Sequence, residues 1–261
     1  MRRLLLASLI VATASASPLM PWVKYGKGPT LPGISGDVTS GLISRWKLND
    51  GSGTTAVDDI GSHTATLVNT PTWITGPNSN GALQFNGTTQ AASAAVNLSG
   101  VTTQLTVSFW LYGNVAGVGS GAQAFEYTSD FGGGDGFYIR WDSTFSGTPE
   151  FAQSNLAAGA NKAYMNPAPS AAAWHFYVVI FDRTVTAGNI GETVYVDGAL
   201  KTLTSIQTDA MNSEGFANSS LYWMSRNTAS FFLAGRLDDV RLYNRALTSG
   251  EVTTLYTNGA Q

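Results

Sequence analysis

Eight short runs rich in β-branched and aromatic residues, each fenced by Gly, Asn, Asp, Ser or Pro, limit what this chain can fold into. They are LISRWKL (42–48), GALQFNG (81–87), LTVSFWLYG (105–113), GFYIRW (136–141), WHFYVVIFD (174–182), ETVYVDG (192–198), SLYWMS (220–225) and GRLDDVRLY (235–243). Runs of this length and composition, separated by turn residues, predict strands. No fixed-period repeat is visible. The pattern predicts an all-β fold, a two-sheet antiparallel jelly-roll sandwich. Asp197-Gly198 marks a tight hairpin.

One helix is expected, in LTSGEVTTLYTNG. Thr248 stands three residues before Glu251, the spacing of a capping box. Val252, Leu255 and Tyr256 then share a face, and Asn258-Gly259 ends the helix. Thr253 and Thr254 are poor helix formers, so packing must hold it, and it is expected to cover one end of the sandwich.

The first residues, MRRLLLASLIVATASAS, combine two arginines, an apolar stretch from Leu4 to Val11 and a small-residue site ending at Ala16. This is the composition of a secretory signal peptide over residues 1–16, and it predicts a secreted or cell-surface protein. The apolar stretch falls short of the roughly 20 residues of a bilayer-spanning helix, and no later segment qualifies. Residues 17–40 hold four of the nine prolines and no apolar period. They read as a linker or arm whose Trp22 and Tyr25 could dock on a scaffold protein. The folded domain is expected over 41–261. A net charge of −3 gives no basic footprint for nucleic acid. The absence of cysteine excludes disulfides and thiolate-bound zinc.

Catalytic signatures are lacking. There is no G-x-S-x-G elbow, and GGGDG (132–136) is not followed by Lys-Ser/Thr, so it is no phosphate loop. A triad would have to use His63 or His175, and His175 lies inside a strand run. No two of the five glutamates sit at i, i+2 on one strand, and the E-x-D-x-x-E pattern of sandwich-fold glycosidases is absent. The sequence argues against an enzyme. For binding, alternation in GFYIRWDS puts Tyr138, Arg140 and Asp142 on one face and Phe137, Ile139 and Trp141 on the core face. Tyr222 or Trp223 could add to the first set. Asp130 and Asp135 flank the Gly-rich loop and are further candidate ligand contacts. Calcium asks for six to eight oxygens. Asp58 and Asp59, in the loop VDDIGSHTATL, could supply two, with loop carbonyls and a carboxylate from elsewhere, and His63 in the same loop is a further candidate ligand.

Several blocks resemble the LamG-like jelly-roll domains of the concanavalin A-like lectin/glucanase group. GLISRWKLNDGSGTTAVDDIGSHTATLVNTPTW is similar to that family's opening, GALQFNG to its G-A-L-x-F-[DN]-G, WHFYVVIFD with VYVDGAL to its W-H strand and Y-V-D-G hairpin. GRLDDVRLYNRALTSGEVTTLY is similar to its closing signature. The resemblance covers about residues 41–257. It implies a two-sheet sandwich, usually extracellular and non-catalytic, often carbohydrate-binding or adhesive. It also implies a structural calcium in some members, near an acidic loop and the paired aspartates. Asp58 matches the loop's first acid and Asp239 the second paired aspartate, while Ile60 and Ser62 depart from the family's loop. The expected partner is a carbohydrate or cell-surface glycan. A surface-display component of a larger assembly is the alternative, and a polysaccharide hydrolase or lyase a weaker one.

In the closing run, alternation predicts Leu237, Asp239, Arg241 and Tyr243 on one face and Asp238, Val240 and Leu242 on the other. The two acids would then point apart and could not act on one bond. Asp239 is left to brace Arg241 or to bind the ion.

Overall fold

The computed structural model describes residues 36–113, 121–127, 135–142, 147–155 and 159–260. In chain order the strands are β1 (Leu42–Trp46), β2 (Thr55–Ala56), β3 (Ala65–Val68), β4 (Thr72–Thr75), β5 (Gly81–Asn86) and β6 (Ala91–Asn97). Then follow β7 (Gln104–Gly113), β8 (Ala122–Tyr127), β9 (Phe137–Asp142), β10 (Thr148–Asn155), β11 (Gly159–Met165) and β12 (Trp174–Asp182). The last are β13 (Glu192–Val196), β14 (Ala199–Leu200), β15 (Leu203–Thr208), β16 (Asn218–Trp223) and β17 (Ala234–Tyr243), before helix α1 (Ser249–Asn258). The first sheet runs β14-β13-β12-β7-β17-β5-β4, with β1 also paired to β17. The second runs β15-β11-β10-β9-β8-β16-β6-β3-β2. The pairings among the described residues are antiparallel, the jelly-roll sandwich expected from the strand pattern.

The core lies between the sheets. Val107, Phe109 and Leu111 of β7 and Tyr177, Val179 and Phe181 of β12 face Phe125, Phe137, Ile139, Trp141 and Phe151 of the second sheet. Rings meet across the gap, Phe109 with Phe125 at 4.7 Å and Phe137 with Phe181 at 4.8 Å. Trp46 and Trp223, both fully buried, close the core edge to face at 5.1 Å. Asp197 and Gly198 have φ of 54° and 77°, the left-handed pair that a two-residue hairpin between β13 and β14 requires.

The helix has its expected capping box: the Glu251 N–H donates to Thr248 Oγ1 at 3.3 Å and the Thr248 N–H to Glu251 Oε2 at 2.8 Å. Its position differs from expectation. It covers the outer face of the first sheet rather than an end. β7 and β12 carry a second apolar set, Trp110, Phe176, Val178 and Ile180, which packs with Val252 and Leu255. Strands buried on both faces lose the alternation that would have shown this. Val38 joins that cluster, and Asp37 bonds both Arg45 and Arg241. The packed unit therefore begins before Gly41.

The face assignment of the closing strand is corrected. Leu237, Val240 and Leu242 all face the core. The register shifts between Asp238 and Arg241, and Asp239 has φ of 42°. This bulge adds a residue to the strand, so alternation slips by one. Leu237 therefore does not share a face with Asp239, Arg241 and Tyr243, nor Asp238 with Val240 and Leu242.

Candidate functional site

Alternation holds along β9. Phe137, Ile139 and Trp141 enter the core, and Tyr138 and Arg140 turn to the outer face of the second sheet. The register then brings acids beside them: Glu126 of β8 is opposite Tyr138, and Glu150 of β10 is opposite Arg140. Tyr138 Oη donates to Glu150, and Arg140 donates to Glu150 Oε2 through Nε at 3.0 Å and Nη2 at 2.8 Å. The Arg140 guanidinium lies over the Tyr138 ring at 4.7 Å. Next to it, Arg226 Nε donates to both oxygens of Glu126, at 2.9 and 2.7 Å, and stacks on the exposed Phe231 ring at 4.7 Å. Glu126 is fully buried and Glu150 nearly so. Burial raises the Tyr138 phenol well above its ordinary value, and the Glu150 charge adds to this.

Tyr138 and Arg140 are thus brought together as the sequence predicts. Glu126, Glu150, Arg226 and Phe231 complete the cluster and were not assigned to it. A signal existed for the two acids: each flanks a core-facing Phe, Phe125 or Phe151, and so must point outward. Arg226 and Phe231 follow β16 in a turn, where no period operates. Asp135 stands apart. Its carbonyl accepts the Ala217 N–H at 2.8 Å, and its charge supports Arg183. It is five residues from Arg140 along extended chain, on the order of 16 Å. Asp130 and the Asp142 side chain lie outside the described residues.

The three expected metal ligands have other work. Asp58 Oδ1 accepts the Arg45 and Ile60 N–H groups at 2.9 Å each, and Oδ2 accepts the His63 N–H at 3.0 Å. Burial alone would raise its carboxyl, but the backbone N–H groups of Arg45, Ile60, Gly61 and His63 together hold it below the ordinary value. His63 Nδ1 lies 2.8 Å from Ser44 Oγ and 3.1 Å from Asp58 Oδ2. Asp239 takes Arg241 in a two-pronged pair, at 2.9 and 2.8 Å. Among the described residues no three Asp, Glu or His side chains converge as a metal cluster. Asp58 and His63 are thus brought together by their loop, and Asp239 is held by Arg241. Asp238 differs from all of them. Its Oδ1 accepts the Asp239 N–H at 2.8 Å, while its Oδ2 is buried with no partner among the described residues. Burial pushes its carboxyl up to about 9, with the Asp239 charge adding to the effect.

His175 aligns with two groups that suggest a nucleophile. Its Nδ1 is 2.6 Å from Asp197 Oδ2 and its Nε2 3.0 Å from Ser170 Oγ, at the rim of a cavity of about 460 Å³ lined by Pro167, Asp197 and Lys201. Its Nε2 also lies 3.1 Å from the Ser170 carbonyl. The hydrogen bond to Asp197 raises the imidazole above its ordinary value. A ring bonded to Asp197 through one nitrogen and facing an acceptor carbonyl with the other is a brace for the hairpin.

Residues 85–253 match the Laminin_G_3 model of the concanavalin A-like lectin/glucanases superfamily. The chain belongs to this family. A comparison with curated protein sequences finds no match. Among solved structures, the concanavalin A-like sandwich here is similar to the botulinum neurotoxin serotype G binding domain, with TM-score 0.59 and 16% identity over 82% of this chain and 50% of that one. It is similar to the binding domain of Paraclostridial Mosquitocidal Protein 1, with TM-score 0.62 and 14% identity over 83% and 52%. It is also similar to domain 4 of AbnA, an extracellular GH43 arabinanase of Geobacillus stearothermophilus, solved with arabinotriose, with TM-score 0.58 and 17% identity over 81% and 96%. The chain thus spans about half the length of the toxin binding domains it matches and nearly all of the arabinanase domain. At these identities the likeness is one of fold. No helix among the described residues is long and apolar enough to cross a membrane.

Proposed function

We propose that this chain is an exported, non-catalytic carbohydrate-binding module that holds glycan on the outer face of β8, β9 and β10. The observation that carries this reading is the cluster of Glu126, Tyr138, Arg140, Glu150 and Arg226 beside the exposed ring of Phe231. An ordinary solvent face carries scattered charges. Here two arginines are fixed by buried carboxylates, and aromatic rings lie under both guanidinium planes. Fixed donors and acceptors suit sugar hydroxyls, and an exposed ring suits the apolar face of a pyranose. A solved arabinanase domain in complex with arabinotriose, and a neurotoxin binding domain in complex with SialylT, support the same class of ligand. Both buried carboxyls are committed to arginines, whereas glycoside hydrolysis asks for a free acid and base pair across one bond, and this favours binding over cleavage. Export rests on residues 1–16.

A display role finds support in one contact. Val38 packs on the outer face of the first sheet, opposite the proposed glycan face. A chain tethered there would present that face outward.

The test is a glycan array that includes arabino-oligosaccharides and sialylated glycans, probed with residues 17–261 and with Arg226→Ala. Binding by the wild type, lost in the variant while its melting curve stays cooperative, is expected. No glycan bound by the wild type, or equal binding by both, would overturn the reading.

A further inference from the structure

Five strands of the first sheet place one residue each in a single row on its outer face. Trp174 of β12 pairs with Tyr112 of β7, Tyr112 with Arg236 of β17, Arg236 with Gln84 of β5, and Gln84 with Thr72 of β4. The adjoining Leu111, Leu237 and Leu83 enter the core, so alternation turns the row away from it. The row depends on the split pairing of β17, which meets β5 over Ala234–Leu237 and β1 only beyond the bulge. Helix α1 packs on Trp110 and Phe176, one outward position back along β7 and β12. The row itself is left partly open: Trp174, Tyr112 and Arg236 are half-buried, and Gln84 and Thr72 are exposed. Neighbouring strands lie about 4.8 Å apart, so the row runs on the order of 19 Å across the sheet.

Arg236 is its centre. Nε donates to Gln84 Oε1 at 3.2 Å, and the guanidinium lies over the Tyr112 ring at 4.6 Å. Trp174 meets that ring edge to face at 5.8 Å. One edge of the guanidinium is thus held and one face covered, while neither Nη group has an acceptor among the described residues. The other arginines among these residues are all taken. Arg45, Arg140, Arg226, Arg241 and Arg245 pair with carboxylates, and Arg183 with backbone carbonyls. Asp238, two residues on, is no counter-charge: its Oδ1 accepts the Asp239 N–H, and burial pushes its carboxyl up to about 9, which leaves it neutral at pH 7. Ala234, the preceding outward residue of β17, is too small to fill the space beside the guanidinium. A cavity of about 190 Å³ lies there, lined by Gln84, Phe85, Tyr112, Ala234, Gly235 and Arg236.

We propose that this row is a second binding site, on the face opposite that of β8, β9 and β10, and that it takes a uronic-acid glycan. The two Nη groups of Arg236 receive the carboxylate as a fork, a geometry that a guanidinium supplies and an ammonium does not. The Gln84 amide and the Thr72 hydroxyl serve the sugar hydroxyls, and Trp174 offers an apolar surface beside them. A neutral glycan would leave the one unpaired guanidinium unused. The net charge of −3 gives no general attraction for polyanions, so one carboxylate at one fixed arginine is what the site recognises. The two faces share no residue, and this inference stands or falls apart from the first site.

Calorimetric titration of the full chain tests it, with oligogalacturonate, alginate and hyaluronan oligosaccharides, each beside its carboxyl-reduced, neutral form. At least one acidic oligosaccharide should bind, with its neutral form weaker by about tenfold or more, the worth of a charge-assisted hydrogen-bond pair. Arg236→Gln should weaken the acidic form to the same degree and leave the neutral form unchanged. Arg236→Lys, which keeps the charge without the fork, should weaken the acidic form too. Arg226→Ala, on the other sheet, should leave it within about twofold. A readout independent of any variant is NMR, in which the acidic ligand should move the amide signals of Gln84, Tyr112 and Arg236 and not those of Tyr138 and Glu150. The inference is overturned if none of the acidic oligosaccharides binds, if acidic and neutral forms bind alike, or if a cooperatively melting Arg236→Gln binds as the wild type does. It is also overturned if binding is lost in Arg226→Ala and the shifts fall on β8–β10, a result that would leave the first face standing. Conversely, a first face that binds no glycan leaves the Arg236 titration unaffected.

Discussion

Glu192→Gln should make this protein more stable at alkaline pH and leave it unchanged in acid. Glu192 lies on β13 opposite Phe181, is 4% exposed, and has no partner at either carboxyl oxygen among the described residues. Gln153 reaches toward it from the other sheet. The Gln153 amide nitrogen donates to the carbonyls of Asp182 and Gly191, at 3.1 and 3.4 Å, and its Oε1 has no donor among the described residues. Burial pushes the Glu192 carboxyl up to about 8 from an ordinary 4.5, against a weaker opposing pull from the Gln153 amide. The folded value is raised, so the stabilising contribution is fully present below about 4.5 and is lost as pH climbs toward 8. Each pH unit within that window costs about 1.4 kcal/mol for one proton. Between about pH 5 and pH 8 the wild type therefore loses on the order of 4 kcal/mol through this group. Glutamine cannot ionise, and its amide can donate to Gln153 Oε1. Urea unfolding of both proteins at about pH 5, 6.5 and 8 isolates the effect, because every other titrating group is common to the two. The difference in unfolding free energy should be near zero at the lowest pH and favour the variant by roughly 3–4 kcal/mol at the highest. A difference that does not change with pH, or a variant weaker at pH 8, would refute the reasoning.

Two further outcomes can be checked. NMR titration should place the His175 midpoint above the ordinary 6.5, and lower it in Asp197→Asn, because the bond to Asp197 is the largest cause of the rise. The stabilisation from that pair is present below about 6.5 and fades as pH passes the folded midpoint, so the wild type's advantage over Asp197→Asn should shrink on going from mildly acidic to alkaline buffer. Thr248→Ala removes the acceptor of the Glu251 N–H and should cost about 1 kcal/mol in urea unfolding, since the helix it caps covers Trp110 and Phe176.

Much of the fold was legible because one face of each strand of the second sheet must be buried. Phe137, Ile139 and Trp141 could be placed in the core, and Tyr138 and Arg140 outside it, from alternation alone. The rule failed where its cause was missing. β7 and β12 are buried on both faces, so LTVSFWLYG and WHFYVVIFD carry no sign of which residues meet the helix. At Asp238 and Asp239 a change of pairing partner adds one residue, and that depends on β1 and β5, which are far away in sequence. The acidic loop at Asp58 was recognised as special, but a carboxylate that accepts several N–H groups and one that binds calcium look alike in sequence. Glu126 and Glu150 meet Tyr138 and Arg140 only through strand register, which a list of motifs does not contain.

The split pairing of β17 also bears on how the chain is made. This strand lies in the middle of the first sheet, with β7 on one side and β5 and β1 on the other, yet it is the last strand to be synthesised. Leu42 cannot find Tyr243 until nearly the whole domain has left the ribosome. Until then β7 and β5 are open edges with no neighbour between them, the state in which β-rich chains either aggregate or are held by chaperones. A nascent polypeptide whose locking strand arrives last stays unlocked through most of its synthesis. That delay ends only when residues 234–243 slot into the gap.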